Sequence, residues 1–115
     1  MSQWAGELSY PSPAATYLNL LDSHDRIGLF GVRGILPAAE LSFLIDRARE
    51  HGAFVSFGSG GDGAETPYEL NTTWYSALNL DNSRDEGRPL QVKRFVASRS
   101  IALALAGVPL VYLHG

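Results

Sequence analysis

Residues 18–29, "LNLLDSHDRIGL", carry an apolar run straight into Asp22, His24, Asp25 and Arg26 before the chain reaches Gly28. Two carboxylates, an imidazole and a guanidinium beside a core are costly unless they are paired, solvated or used. In parallel α/β folds the functional groups collect at the carboxyl ends of strands. A His24–Asp25 pair at such an end can hold a sugar hydroxyl, orient a base or bind a metal. A plain hydrogen-bonded loop would explain the pair as well.

Two further stretches contain residues suited to chemistry. "GSGGDG", residues 58–63, fits G-x-G-x-x-G and follows the short apolar stretch 53–57. A dinucleotide turn needs a helix to open within the motif. Here "AETP" follows, and Asp81 and Asp85, near the distance for a ribose carboxylate, fall in a loop. A glycine loop is the simpler reading. "TPYELNTTWYSALN", residues 66–79, places Tyr68, Trp74 and Tyr75 near Glu69 and Asn71. Aromatics beside hydrogen-bonding groups suit a sugar, with its apolar faces and polar rim. Trp74 reads better as a core residue of a short helix. Tyr68, in a glycine-flanked loop just before that helix, reads as a site residue and as a packing residue equally well. His51, close to a helix C-terminus, favours the helix dipole. No cluster has metal-ligand spacing, and no metal or cofactor is expected.

The elements that must position these residues are few. "AATYLNLL", residues 14–21, is a partly continuous apolar run, as in a strand covered on both faces. Pro37 suits a first helical turn, Leu41, Leu44, Ile45 and Ala48 share one helical face, and Gly52 is a good stop. Residues 53–57 form a short extended segment and 58–67 a loop. Leu70, Trp74, Ala77 and Leu78 make a short helical face with Asn71 as its N-cap. Residues 79–89 are another loop. A long helix over 90–106 places Val92, Phe95, Val96, Arg99, Leu103 and Ala106 on one side, and Gly107 and Pro109 end it. "VPLVYLHG", residues 108–115, is a buried strand. Residues 1–13 are a polar, Pro-rich lead-in. Strand, helices, strand in that order predicts α/β structure with a parallel sheet. Two such strands are too few to cover their own faces, which points to a piece of a larger α/β protein.

Composition narrows the function classes. The 115 residues allow one small domain, and charged residues make up 18% where about 25% is usual. A net charge of −3 without a basic run argues against nucleic acid as a partner. There is no cysteine, so neither a disulfide framework nor a thiolate metal site is available. The start has no secretory pattern, and "IALALAGVPLVYL" is shorter than the roughly 20 residues that span a bilayer. A cytoplasmic protein with no membrane partner is the expectation.

Taken in order, "NLLDSHDRIGL", "PYELNTTWYSALN" and "ASRSIALALAGVPLVYLHG" resemble the sucrose-phosphorylase branch of the α-amylase superfamily, glycoside hydrolase family 13. The match runs over nearly the whole chain. It implies that residues 1–115 are a partial catalytic domain, a fragment of a (β/α)8 TIM barrel from about the seventh strand to the eighth with the intervening helices. It implies a retaining α-glucoside phosphorylase, with an α-glucoside and inorganic phosphate as partners and α-glucose 1-phosphate as product. Asp25 matches the carboxylate that holds the sugar's 2- and 3-hydroxyls and stabilises the transition state. His24 matches the neighbouring hydroxyl-binding histidine. Tyr68 and Glu69 match positions lining the acceptor or phosphate side. Two positions depart from the branch: Arg26 stands where glycine is usual, and Glu69 where sucrose-specific members have glutamine. The second departure leaves glucosylglycerate or a phosphorylated sucrose open beside sucrose. The nucleophile and the acid/base residue lie on the fourth and fifth strands in that family, and nothing before residue 14 matches them. The rival readings are a sister hydrolase or transglucosidase, a non-catalytic carbohydrate-binding piece, and the nucleotide loop at 58–63.

Overall fold

The computed structural model describes residues 2–59, 63–80 and 86–112. A short helix α1 (Ser2–Gly6) precedes strand β1 (Leu18–Asn19), so the lead-in is not wholly irregular. Then come β2 (Arg26–Gly28), a single 3-10 turn (Phe30–Val32), α2 (Ala38–Glu50), β3 (Phe54–Ser59) and β4 (Glu65–Asn71). Helices α3 (Trp74–Leu78) and α4 (Arg88–Ala104) lead to β5 (Val108–Pro109). The mixed helix–strand content agrees with the α/β expectation.

β1 and β5 pair in parallel, Leu18 with Val108 and Asn19 with Pro109. The join depends on Gly107. Its φ is +129°, and a Cβ there would lie 2.8 Å from the Tyr17 carbonyl oxygen. The Asn19 amide nitrogen donates to the carbonyls of Leu105 and Ala106, each at 3.3 Å, and so serves acceptors that the end of α4 leaves unpaired. The two strands were expected to be buried, and they are not. Leu18 and Val111 are each 65% exposed. Neither outer edge of the pair is extended by another strand among the described residues.

The second sheet is antiparallel, in the order β2–β4–β3, and takes up residues 58–59 and 65–67 of the loop expected over 58–67. β3 runs on through Gly58 and Ser59, and the chain returns as β4 from Glu65. The register slips between Ser56, which faces Glu69, and Phe57, which faces Pro67. This bulge leaves Tyr68 as the extra residue and accommodates a proline that cannot donate to the ladder. Gly58 and Ser59, which open the G-x-G-x-x-G stretch, therefore belong to β3, and its residues 60–62 lie outside the described residues. A strand follows it instead of a helix, which removes the context a phosphate-binding turn needs.

The core lies between this sheet and α2. Leu29, Ile45, Ala48, Ala53 and Leu70 are buried, with Ile27, Leu41 and Val55 packed around them. Pro37 and Gly52 bound α2 as expected, while Leu44 stays exposed. Leu70 belongs to β4, and the N-cap of α3 is Thr73, whose Oγ1 accepts from the Ser76 N–H at 3.1 Å. Asn71, expected in that role, accepts instead from the Ser56 hydroxyl at 2.7 Å. α4 is rotated from the expected face, of which Phe95 and Arg99 turn inward. Val92, Val96 and Leu103 are exposed, while α3 meets a more polar seam. The Tyr75 hydroxyl donates to Gln91, the Trp74 indole N–H donates to Ser98, each at 2.8 Å, and Tyr75 meets Phe95 edge to face. Partly buried Tyr and Trp need partners for their polar atoms, and that need sets the helix rotation.

Candidate functional site

His24 and Asp25 sit in the turn between β1 and β2, just past the carboxyl end of a parallel strand. The turn is tight: the Ser23 N–H donates to the Arg26 carbonyl at 3.1 Å. His24 Nε2 lies 3.4 Å from Asp25 Oδ2, and the His24 ring stacks on Tyr112 with centroids 5.8 Å apart. Tyr112 follows β5, so the carboxyl ends of both parallel strands contribute. Ser23 Oγ donates to Asp25 Oδ1 at 3.4 Å, yet the Asp25 side chain keeps 48% of its surface open. A carboxylate so exposed, framed by an imidazole and an aromatic ring, can accept hydrogen bonds from vicinal hydroxyls.

Glu69 joins this group from β4. Antiparallel pairing sets Arg26 opposite Asn71 and Gly28 opposite Glu69, which makes Arg26 and Glu69 diagonal neighbours. Arg26 Nη1 donates to Glu69 Oε2 at 3.4 Å, and Arg26 Nε stands 3.5 Å from Asp25 Oδ1. Tyr68 is held elsewhere. Its ring packs 6.1 Å from Phe30 and against Gly58, and Arg33 caps Phe30 at 4.3 Å. Tyr68 and Glu69 thus lie within a strand and not in a glycine-flanked loop. Of the two, Glu69 is the one brought to His24 and Asp25.

Asp22 has a separate role that its sequence neighbourhood conceals. Its side chain is fully buried, Arg99 Nη2 lies 2.8 Å from its Oδ1 and donates to its Oδ2 at 3.1 Å, and the Trp74 N–H also donates to Oδ2. The contact at Oδ1 is ionic, without hydrogen-bond direction. This pair ties the end of β1 to α4 and to the start of α3. Arg99 standing in an apolar helical stripe was the signal for it, since a charge there needs a buried partner. A second missed network lies at the α3–α4 junction, where buried Asn79 accepts from Arg94 Nη1 at 2.8 Å and Glu86 holds both ends of the same guanidinium. The hydrogen bonds from Arg94 lower the Glu86 pKa below its ordinary value.

A cavity of about 310 Å³ between the parallel strands and α4 is lined by Leu21, Phe95, Ala102, Leu110 and Tyr112 among others. Its walls are mostly apolar, with Asn19 and Arg99 as the polar members, whereas His24 and Asp25 are not among its lining residues. Among the described residues no group of three His, Asp or Glu could hold a metal ion, and no helix is long and apolar enough to cross a membrane.

Comparison with known proteins gives a consistent set of relatives. Glucosylglycerate phosphorylase of Escherichia coli (strain K12) is 40% identical over 111 residues, 96% of this chain and 19% of that protein. Glucosylglycerate phosphorylase of Allomeiothermus silvanus is 42% identical over 114 residues, covering 99% and 20%. Sucrose phosphorylase of Bifidobacterium adolescentis is 27% identical over 116 residues, covering 91% and 20%. The chain belongs to the sucrose phosphorylase-like family. It spans about a fifth of the length of the family members it matches. No family model matches it, and no solved structure matches it significantly.

Proposed function

We propose that the chain is the part of a retaining α-glucoside phosphorylase that carries the transition-state carboxylate, Asp25, and that its substrate is glucosylglycerate. The observation that carries this reading is the His24–Asp25 pair, open to solvent and set at the carboxyl ends of two parallel strands. On this reading β1 and β5 are adjacent strands of a (β/α)8 barrel of the glycoside hydrolase family 13 kind, with the helices and the β2–β4–β3 sheet inserted between them. The greater similarity to the glucosylglycerate phosphorylases, together with Glu69, favours that glucoside over sucrose.

In the reaction a carboxylate attacks C1 of the glucose unit while a carboxylic acid protonates the departing oxygen. Phosphate oxygen then attacks C1 of the β-glucosyl enzyme and restores the carboxylate, giving α-glucose 1-phosphate. Asp25 accepts hydrogen bonds from the 2- and 3-hydroxyls, and those bonds strengthen as C1 becomes oxocarbenium-like. His24 holds a neighbouring hydroxyl, and Tyr68 and Glu69 line the acceptor side. Asp22 cannot act as nucleophile, because it is buried on Arg99 on the same turn as Asp25. Two carboxyl groups about 5–5.5 Å apart on opposite sides of the scissile bond are needed. The nucleophile and the acid therefore come from elsewhere in the folded enzyme.

The test is a graft in which this chain replaces its matching segment in the E. coli relative. With glucosylglycerate and phosphate the graft is expected to release α-glucose 1-phosphate. Asp25→Asn is expected to cut kcat by orders of magnitude, since it removes an interaction made in the transition state. Release of free glucose in place of the phosphate ester would point to a hydrolase, and near-normal turnover of Asp25→Asn would refute the role of Asp25.

A further inference from the structure

We propose that Arg26 is a positioning residue that sets acceptor preference by holding Glu69 in place from the donor-side turn. The inference rests on the phosphorylase reading above. Arg26 is the first residue of β2 and directly follows Asp25. Its guanidinium spans the gap between two carboxylates, with Nε 3.5 Å from Asp25 and Nη1 3.4 Å from Glu69. Among the described residues it is the one lysine or arginine paired with either of them. The Glu69 side chain is only 15% exposed, against 55% for Arg26. A carboxylate that enclosed is costly to bury without a hydrogen-bonded partner, and the partner holds it in one rotamer. The β2–β4 register supplies the partner, because a diagonal neighbour is within reach of a side chain as long as arginine.

The arrangement couples two chain segments of opposite duty. Asp25 faces the sugar that is transferred, and Glu69 faces the group that leaves. The cluster of Asp25, Glu69 and Arg26 carries one net negative charge. Glu69 therefore meets the hydroxyl-bearing part of the acceptor, and an anionic acceptor group must be received elsewhere. Arginine suits the task because its planar fork can address two carboxylates at once, which a lysine ammonium cannot do in fixed geometry.

The experiment compares two glucosyl donors in the graft. Glucosylglycerate fills both sides of the site, whereas α-glucosyl fluoride fills only the donor side. Arg26→Gln is expected to raise KM for glucosylglycerate about three- to fivefold, the size of a partly exposed ion pair, with kcat changed less. Its effect on α-glucosyl fluoride is expected to be smaller. Combining Arg26→Gln with Glu69→Gln should add nothing to the larger single effect, because both remove one interaction. Equal losses with both donors, or additive effects of the two substitutions, would overturn the proposal. A graft that releases no α-glucose 1-phosphate before any substitution would overturn the phosphorylase reading itself, and this inference with it.

Discussion

Asp22 and Asp25 stand three residues apart and meet opposite fates. Asp22 is buried, paired with Arg99 and hydrogen-bonded by a backbone N–H; Asp25 stays half open beside a histidine, a serine and one edge of Arg26. The first is a structural fastening and the second is available to a ligand. Arg99→Leu should therefore destabilise the graft by about 3–5 kcal/mol, read as a lowered urea midpoint, because it strands a buried carboxylate. Asp25→Asn should change the midpoint by no more than about 1 kcal/mol, because the side chain is half open and its contacts with Ser23, His24 and Arg26 are long and exposed to solvent. The residue types were legible in the sequence, but the division of labour was not. Arg99 lies 77 positions from Asp22, and no local pattern announces which of two neighbouring carboxylates a distant helix will claim.

At the scale of elements, α2 was readable because Pro37 and Gly52 mark its ends, and α4 came within two residues of its expected bounds of 90–106, whereas α1 in the polar lead-in carried no such mark. The β3–β4 hairpin was not readable, since its bulge at Tyr68 and Pro67 breaks the alternation by which strands are recognised. Gly107 offers a direct check of the β1–β5 join. Gly107→Ala should cost about 1–3 kcal/mol, as a lowered urea midpoint of the graft, because φ +129° and a Cβ 2.8 Å from the Tyr17 oxygen both resist it. The α3–α4 junction answers to pH. The hydrogen bonds from Arg94 lower the Glu86 pKa, so the folded state binds the Glu86 proton less readily than the unfolded chain does. Its contribution is fully present above the ordinary pKa of about 4.3 and fades as pH falls from there through the lowered folded value. Melting temperatures of wild type and Glu86→Gln should thus differ at neutral pH and converge in that acid window. A constant difference down to low pH would show that charge is not what Glu86 contributes.

The whole molecule exposes 8128 Å², roughly 2,000 Å² more than a compact 12.5 kDa monomer. Its radius of gyration of 15.6 Å likewise exceeds the roughly 13 Å of a compact chain this long. The excess has an identifiable source. Leu18, Leu20, Val108, Leu110 and Val111 stand exposed along the parallel strands, and Val96 and Leu103 along α4. Parallel strands are ordinarily buried on both faces, and unpaired strand edges invite pairing with other chains. A core of five buried residues under α2 cannot offset that much apolar surface, and contiguous patches of such size drive association. The isolated chain should therefore self-associate, sedimenting well above monomer at micromolar concentration, bind a hydrophobic dye strongly, and turn over no glucosylglycerate. The same surface should fall silent to the dye in the graft, where the proposed neighbouring barrel strands would cover it. A monomer with a sharp cooperative melt and no dye binding would mean that the strand pair is stable unaccompanied, and would remove the main physical reason for placing it inside a larger barrel.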